Sequence, residues 1–195
     1  MCQIFIFLAK KYNSYMTISF MQISPEKAVL ALALVEQRVS WLETKKIEQW
    51  ARSHYLSRYN LAYFENAARL GRLWGLFEAS RLVASAVLLD EDPRWQDYEK
   101  APAWYVHNLA SAVDKPGAGA EFLYRAEMKA RELKKQFLRL DCRTGAKKLM
   151  RIMKKRVFYM PVSVRNPSTK EHFGKRSYKT DKKHLPGLGP GFFTN

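Results

Sequence analysis

Gly117 and Gly119 lie between an apolar segment and a helical one, where their spacing could support chemistry. A turn that leads from a strand directly into a helix aims several backbone N–H groups, and the positive end of the helix dipole, at one point. Glycine lets a diphosphate approach this backbone closely, and Lys115 adds a positive charge at the rim. The pattern therefore predicts an anion site, with a plain turn as the alternative.

Hydrophobic periodicity places this turn within a succession of strands and helices. Before the turn, the pattern predicts a strand at Thr17–Ile23, a helix from Pro25 to Thr44–Lys46, a helix from Ile47 or Ser53 to Leu70, hairpin strands at Leu73–Glu78 and Arg81–Leu89, an exposed connection at Asp90–Lys100 and a strand at Ala103–Ala110. After the turn, it predicts an amphipathic helix that presents Phe122, Leu123, Ala126, Ala130 and Leu133, a strand at Phe137–Cys142, a helix at Gly145–Lys155, a strand at Val157–Val164 and a last strand near Ser177–Thr180.

A strand, a crossover helix and another strand imply a locally parallel pair within a mixed sheet. The predicted fold class is therefore α/β, close to α+β, with helices flanking one central sheet. A chain of 195 residues suits one domain, which we place at residues 16–165. Residues 1–15 are predicted to be an N-terminal extension, with Met16 or Met21 as the true start. Residues 166–195 are predicted to form a basic, Pro/Gly-rich segment, partly strand and then a flexible tail.

Composition restricts the class of function. The chain is 47% hydrophobic and carries a net charge of +16, which predicts a packed core and an attraction to polyanions. Cys2 and Cys142 are too few for a disulfide framework, and the four histidines lack metal-ligand spacing with them. We therefore predict no metal and a reducing, cytoplasmic location. Because no run of about 18 apolar residues occurs, we predict no membrane-spanning helix.

The glycine turn is part of a longer pattern. From Tyr105 the chain reads Tyr-Val-His-Asn-Leu-Ala-Ser-Ala-Val-Asp-Lys-Pro-Gly-Ala-Gly-Ala-Glu-Phe-Leu, and Leu138-Arg-Leu-Asp-Cys follows. In order and spacing this resembles the core of the GNAT N-acetyltransferases, which has a strand with Leu-Ala-Val, the motif R/Q-x-x-G-x-G/A, a helix and Leu-Arg-Leu-Asp. Upstream, Trp41-Leu with Gln49-Trp, Leu73-Trp-Gly-Leu-Phe-Glu and Ala84-Ser-Ala-Val-Leu-Leu resemble the family's first helical hairpin and its second and third strands. The resemblance covers about Thr17–Val164.

The resemblance implies a single GNAT domain whose fourth and fifth strands splay apart, with acetyl-CoA as the acyl donor. It implies that the pantetheine arm lies in the splay against the backbone of Leu109, Ala110 and Ser111. The pyrophosphate would bind the turn formed by Lys115, Pro116, Gly117, Ala118, Gly119 and Ala120. The implied reaction is direct transfer: a base or a water relay deprotonates a primary amine, the amine attacks the thioester, and an acid protonates the thiolate, without a covalent enzyme intermediate.

Four positions depart from the family's pattern. Asp114 replaces the leading Arg or Gln and puts a carboxylate beside the phosphate site, while Ala146, Met153 and Val157 replace an Asn, a Tyr and a Gly of the last helix. Met cannot donate a proton. Tyr159 or water must then protonate the thiolate, or the protein binds the cofactor and does little chemistry. We expect slow but real transfer, because losing one general acid costs about 10²–10⁴ in rate.

His107 is the candidate base. Strand alternation places it on one face with Tyr105 and Leu109, opposite Val106 and Asn108, and the alternative is a core histidine. Asp141 is predicted to cap the next turn or to touch substrate, and Cys142 to be a buried thiol. The aromatic run of the second helix lines either the acceptor pocket or the core: Trp50, Tyr55, Tyr59, Tyr63 and Phe64.

The expected acceptor is a small amine, an amino sugar, an antibiotic or a peptide amine. The loop Asp90–Glu99 is either solvated or attracts a cationic amine. The basic helix residues Arg125, Lys129, Lys134, Lys135, Lys147, Lys148, Arg151, Lys154, Lys155 and Arg156 are solvated surface or bind a 3′-phosphate or polyanion. A nucleic-acid partner is allowed but not favoured, since exposed aromatics are not interleaved with these charges. The alternative function is a weakly catalytic or non-catalytic GNAT scaffold that binds RNA, the ribosome or another polyanion, and a homodimer is compatible with either.

Overall fold

The computed structural model describes residues 17–47, 50, 54–98, 100–143, 162–165 and 172–179. The helices in this part of the chain are α1 (Ala28–Thr44), α2 (Tyr55–Arg58), α3 (Leu61–Arg69) and α4 (Ala118–Glu132). The strands are β1 (Ile18–Gln22), β2 (Leu73–Glu78), β3 (Arg81–Leu89), β4 (Ala103–Ser111), β5 (Phe137–Arg143), β6 (Val162–Arg165) and β7 (His172–Lys179). Short 3-10 turns lie at Pro25–Lys27 and Pro93–Trp95.

The described strands form one mixed sheet in the order β1-β2-β3-β4-β5-β7-β6. Neighbouring strands are antiparallel except β4 and β5, which the α4 crossover makes parallel. The β4–β5 register runs from Ala103–Phe137 to Val106–Leu140, although β4 continues to Ser111 and β5 to Arg143. The two strands therefore splay apart after four residue pairs. This confirms the predicted fold class and its splayed parallel pair.

Apolar side chains pack on both faces of the sheet. On one face Phe122 and Ala126 of α4 are completely buried against β2, β3 and β4. On the other face α1 and α3 cover the sheet, and Val35 and Phe64 are almost completely buried there. These two layers fix α4 and the α1–α3 pair on opposite sides of the splay.

The second helix is shorter than the sequence predicts, because two helices, α2 and α3, replace it. The break falls at Tyr59 and Asn60, where the Asn60 side-chain oxygen accepts a hydrogen bond from the backbone N–H of Tyr63 (3.1 Å). An asparagine that satisfies a free helix N–H starts a new helix more readily than it continues an old one. Gly71 ends α3 with φ +66°, as its position predicts.

The prediction that Asp90–Lys100 is simply an exposed connection is wrong at two residues. Asp92 begins the 3-10 turn Pro93–Trp95, and this turn directs Trp95 inward against Tyr105 and Phe137. Both Asp92 and Trp95 are buried. A short polar N-cap followed by proline is a good turn starter, and it converts a charged loop into part of the core.

The C-terminal strands are only partly predicted. Strand β7 covers eight residues where four were expected, and it lies between β5 and β6. Of the strand predicted at Val157–Val164, the described portion is β6. The predicted extension 1–15, the helix Gly145–Lys155 and the tail after residue 179 lie outside the described residues.

Gly75 in β2 offers a test of how tightly this sheet is packed. A Cβ there would lie 2.6 Å from Leu82 Cδ1 and 2.9 Å from Ile23 Cδ1. We therefore expect Gly75→Ala to lower the free energy of unfolding by about 1–3 kcal/mol through overpacking, as measured by urea denaturation. Unchanged stability would show that the neighbouring side chains can move aside without cost.

Candidate functional site

Strand β4 is irregular at Asn108, just after it separates from β5. Asn108 has φ +55°, and the β3–β4 register shifts at the same place, since Val87 faces His107 while Ser85 faces Ala110. A step of two residues on β3 thus matches a step of three on β4, which is a β-bulge. Asparagine accepts this left-handed conformation more readily than most residues.

The bulge changes which side chains share a face. Leu109 packs with the α4 cluster, whereas Asn108 bonds to tyrosines on α2 and α3. The predicted alternation, with Leu109 beside His107 and Asn108 opposite, is therefore wrong, because it assumed a regular strand. The low strand propensity of asparagine was the available signal.

Two tyrosines hold Asn108 in place. The Tyr63 hydroxyl donates to Asn108 Oδ1 (2.9 Å), and Asn108 Nδ2 donates to the Tyr55 hydroxyl (2.5 Å). Burial raises the pKa of Tyr63 to about 12, with Tyr59 adding to the shift and Arg94 opposing it. Tyr63 is consequently a protonated donor at neutral pH, and it fixes the orientation of the amide.

The aromatic run contains one buried ring and four partly exposed ones. Its rings contact one another in order, with centroid separations from 4.5 Å for Trp50–Tyr55 to 5.2 Å for Tyr63–Phe64. Phe64 is buried, while the other four are half-buried. Phe64 is thus core, and the tyrosines form a partly exposed wall that reaches the bulge.

His107 belongs to a charged cluster with Asp92 and Arg94. Its Nε2 lies 3.0 Å from Asp92 Oδ2 and 2.7 Å from Arg94 Nη2, and the Asp92 carboxylate also accepts bonds from the Arg94 backbone N–H and guanidinium. Burial opposes ionisation of Asp92, but the bonds from His107 and Arg94 outweigh it and hold its pKa well below the usual range. Asp92 is therefore an anion that can orient His107.

The glycine turn leads from β4 into α4. Gly117 has φ +90° and is the N-cap of the helix, and its carbonyl accepts bonds from Ala120 and Glu121 N–H (both 2.9 Å). A Cβ at Gly119 would lie 3.4 Å from Ser111 Oγ. Gly117 is therefore required by the backbone conformation, whereas Gly119 lets the helix start close to the end of β4.

Three carboxylates surround this turn, and each is paired with a cation. Asp114 bonds to Arg81 (2.7 Å), Glu121 bonds to Arg125 (2.7 Å), and Lys115 bonds to Glu78. The direct partner of Asp114 is Arg81, from the start of β3. No spacing in the sequence signals this contact, because 33 residues separate the two partners.

Arg38 of α1 holds the end of β4. Its Nη2 donates to the Ser111 carbonyl, to Ser111 Oγ (3.1 Å) and to the Ala112 carbonyl (3.4 Å). The Ser111 carbonyl is thus engaged by the protein itself. Helix periodicity alone gives no reason to single out Arg38, so sequence reasoning missed it.

No model of a known protein family matches the sequence, and no curated protein matches it. Solved structures do match. A GNAT-family acetyltransferase from Listeria monocytogenes has a TM-score of 0.63 at 18% identity, over 82% of this chain and 94% of that one. A second, from Streptococcus agalactiae, has a TM-score of 0.68 at 14% identity over 82% and 94%. The PaiA N-acetyltransferase from Thermoplasma acidophilum, in complex with coenzyme A, has a TM-score of 0.61 at 14% identity over 84% and 100%.

The chain has the GNAT fold. On this fold the predicted cofactor residues are brought together: Leu109 and Ala110 lie on the stretch of β4 that has left β5, and residues 115–120 form the turn that follows. His107 lies at the start of the stretch of β4 that has left β5, on the side of the sheet that carries Asp92 and Arg94. Tyr159, Met153, Ala146 and Val157 lie outside the described residues, and so do the side chains of Asp141 and Cys142.

Two further findings concern the part of the chain that the structure describes. It contains no group of three or more His, Cys, Asp or Glu residues that could hold a metal ion. None of its helices combines the length and the hydropathy that a membrane-spanning helix needs.

Asp92 gives the site a distinct pH dependence. Since its pKa is lower in the folded protein, its contribution to stability is complete above the ordinary carboxyl pKa of about 4 and is lost as the pH falls further. We expect Asp92→Asn to lower the free energy of unfolding by about 1.5–3 kcal/mol at pH 7, and the difference from the parent chain to shrink below about pH 4.

Denaturant unfolding of both chains from pH 7 to pH 3 tests this expectation. Asp97→Asn is the matched control, since Asp97 is an exposed carboxylate in the same loop and should change little. A constant difference for Asp92→Asn across the whole range would contradict the assignment.

Proposed function

We propose that this chain is an acetyl-CoA-dependent N-acyltransferase that transfers an acetyl group to a primary amine. The observation that carries the proposal is the separation of β4 from β5 directly before the Gly117 turn. One strand thereby presents an open backbone edge to an extended ligand, and the adjoining helix start presents N–H groups to an anion. Acetyl-CoA has both features in the same order along its length.

The residues fit the donor with one adjustment to the sequence-based expectation. Beyond Val106, β4 has no register partner on β5 among the described residues, so its backbone is accessible to a pantetheine arm at Leu109 and Ala110. At Ser111 the carbonyl is bonded to Arg38. We therefore assign the pantetheine arm to the backbone of Leu109 and Ala110. Ser111 serves mainly as the hydrogen-bond acceptor of Arg38. The pyrophosphate would be held by the turn at residues 115–120, through the N–H groups of Gly117 and Gly119, since those of Lys115, Ala118 and Ala120 donate to nearby backbone carbonyls.

Acetyl-CoA supplies the thioester that the amine attacks. The chain's own contribution is to remove the amine proton, and His107 is the residue proposed for that role. It lies on the open stretch of β4, and the Asp92 carboxylate, 3.0 Å from its Nε2, orients the imidazole. Asn108, fixed by Tyr63 and Tyr55, keeps the neighbouring backbone in one conformation. Tyr159 is proposed as the acid that protonates the leaving thiolate, with water as the alternative.

A role as a polyanion-binding scaffold receives less support from the described residues. Four cations of α4 and the following turn have acidic partners: Arg125 with Glu121, Lys129 with Glu132, Arg131 with Glu127 and Lys135 with Asp90. Such pairs reduce the local positive potential that nucleic acid would recognise. The net charge of +16 alone does not favour this function over the enzyme.

Titration calorimetry with acetyl-CoA tests the donor site. We expect saturable binding to the parent chain, and at least a tenfold loss of affinity in Gly117→Glu, because a non-glycine residue at φ +90° strains the turn and the carboxylate repels the diphosphate. Gly71→Glu is a matched control, since it introduces the same side chain at another glycine with positive φ. Gly71 lies close to the first residue of β2, whereas the Gly117 turn lies near the last. The control variant should lose stability but keep its affinity.

Two results would count against the donor site. No binding at millimolar acetyl-CoA would refute the proposed function. Equal affinity of the parent chain and Gly117→Glu would show that the phosphate site lies elsewhere. Binding without transfer to any member of a panel of polyamines, amino sugars and peptide N-termini would support the scaffold alternative.

His107→Gln tests the base. With an acceptor from that panel, we expect kcat to fall by about 10²–10⁴, while the affinity for acetyl-CoA measured by calorimetry stays within about twofold, since His107 is not assigned to the donor. An unchanged kcat would exclude His107 as the base and leave a water relay.

A further inference from the structure

We propose that Arg81 controls the affinity of the Gly117 turn for polyphosphate by neutralising Asp114. This proposal rests on the proposed function, because it concerns the diphosphate part of the same donor. It adds a residue from a different strand, at a position that no motif assigns. It also accounts for a carboxylate where the resembling motif has Arg or Gln.

The contact is direct. Arg81 Nη2 lies 2.7 Å from Asp114 Oδ1, and both side chains are at least half exposed. The hydrogen bond and charge of Asp114 raise the pKa of Arg81, and those of Arg81 lower the pKa of Asp114. The two groups are thus ionised together at neutral pH.

The position of the pair matters more than its strength. Asp114 stands three residues before Gly117, so an unpaired carboxylate there would lie close to any anion that the helix start binds. Lys115 is already bonded to Glu78, and Glu121 to Arg125. Each acid near the turn has its own cation, and removal of Arg81 leaves Asp114 without its bonded partner. The favourable N–H groups of the turn would then be opposed by one negative charge.

Backbone topology explains why Arg81 can fill this role. Glu78 and Arg81 are register partners across the tight β2–β3 hairpin, and Asp114 and Lys115 are adjacent in the turn. The two ion pairs therefore run side by side, each joining the hairpin to the turn with opposite polarity. Loss of Arg81 changes the charge at the turn while the Lys115–Glu78 pair still holds it in place.

A double-mutant cycle tests the proposal. Dissociation constants for CoA are measured by calorimetry at low salt for the parent chain, Arg81→Ala, Asp114→Ala and the double variant. We expect Arg81→Ala to weaken binding by about three- to tenfold, the size of one partly screened repulsion. The double variant should bind within about twofold of the parent chain, because the uncompensated carboxylate is gone.

Two comparisons separate this effect from general damage. Pantetheine lacks the diphosphate, so its affinity should be the same in all four chains. Arg69→Ala removes another exposed arginine that pairs with an acid, Glu65, on the opposite face of the sheet, and it should leave CoA binding unchanged. The loss in Arg81→Ala should also diminish as salt is raised.

Several outcomes would overturn the proposal. A CoA affinity of Arg81→Ala equal to that of the parent chain would overturn it, and so would a double variant that binds CoA as weakly as Arg81→Ala. An equal loss for pantetheine would show a structural effect. If the parent chain itself does not bind CoA, both the proposed function and the role of Arg81 are overturned. If the parent chain binds CoA but the four affinities do not follow the expected order, only the role of Arg81 is overturned.

Discussion

The candidate site depends on the point where β4 stops pairing with β5. Before it, Arg139 on β5 is buried and donates to the Tyr105 hydroxyl (3.0 Å) between the rings of Trp95 and Phe137, which joins the two strands firmly. After it, the bulge at Asn108 turns β4 away, and Tyr55 and Tyr63 hold the bulge open. The buried Arg139–Tyr105 contact thus lies before the point of separation, and the polar contacts of Asn108 lie after it. A regular β4 would continue its ladder with β5 and close the gap.

The carboxylates of Asp92 and Asp114 are each bonded to nearby side chains. Asp92 is buried and depends on His107 and Arg94, while Asp114 is exposed and depends on Arg81. The two cases differ in energy because a buried carboxylate without partners costs several kcal/mol, whereas an exposed one costs little stability. Asp92 therefore belongs to the stability of the fold, and Asp114 bears on what the turn can bind.

The sequence predicts the parts of the site that are local. The glycine turn, the start of α4 and the parallel pair follow from spacing and periodicity, because each depends on residues within a few positions of one another. The bulge at Asn108 and the partners of His107 could not be predicted in this way. They depend on Tyr63, Asp92 and Arg94, which the fold brings from distant segments. The same holds for Arg81, whose contact with Asp114 exists only once the hairpin lies beside the turn.

The proposed donor site and the proposed acceptor side lie on opposite faces of the sheet. Helix α4 and the Gly117 turn lie on one face, while His107, Asp92 and the tyrosine wall lie with α1–α3 on the other. The gap between β4 and β5 is where ligands bound on these two sides could meet. A donor held on the α4 side and an amine arriving past the tyrosines would approach each other across the open strand edge. Positioning both reactants in this way favours direct transfer, because no side chain then has to carry the acetyl group between two sites.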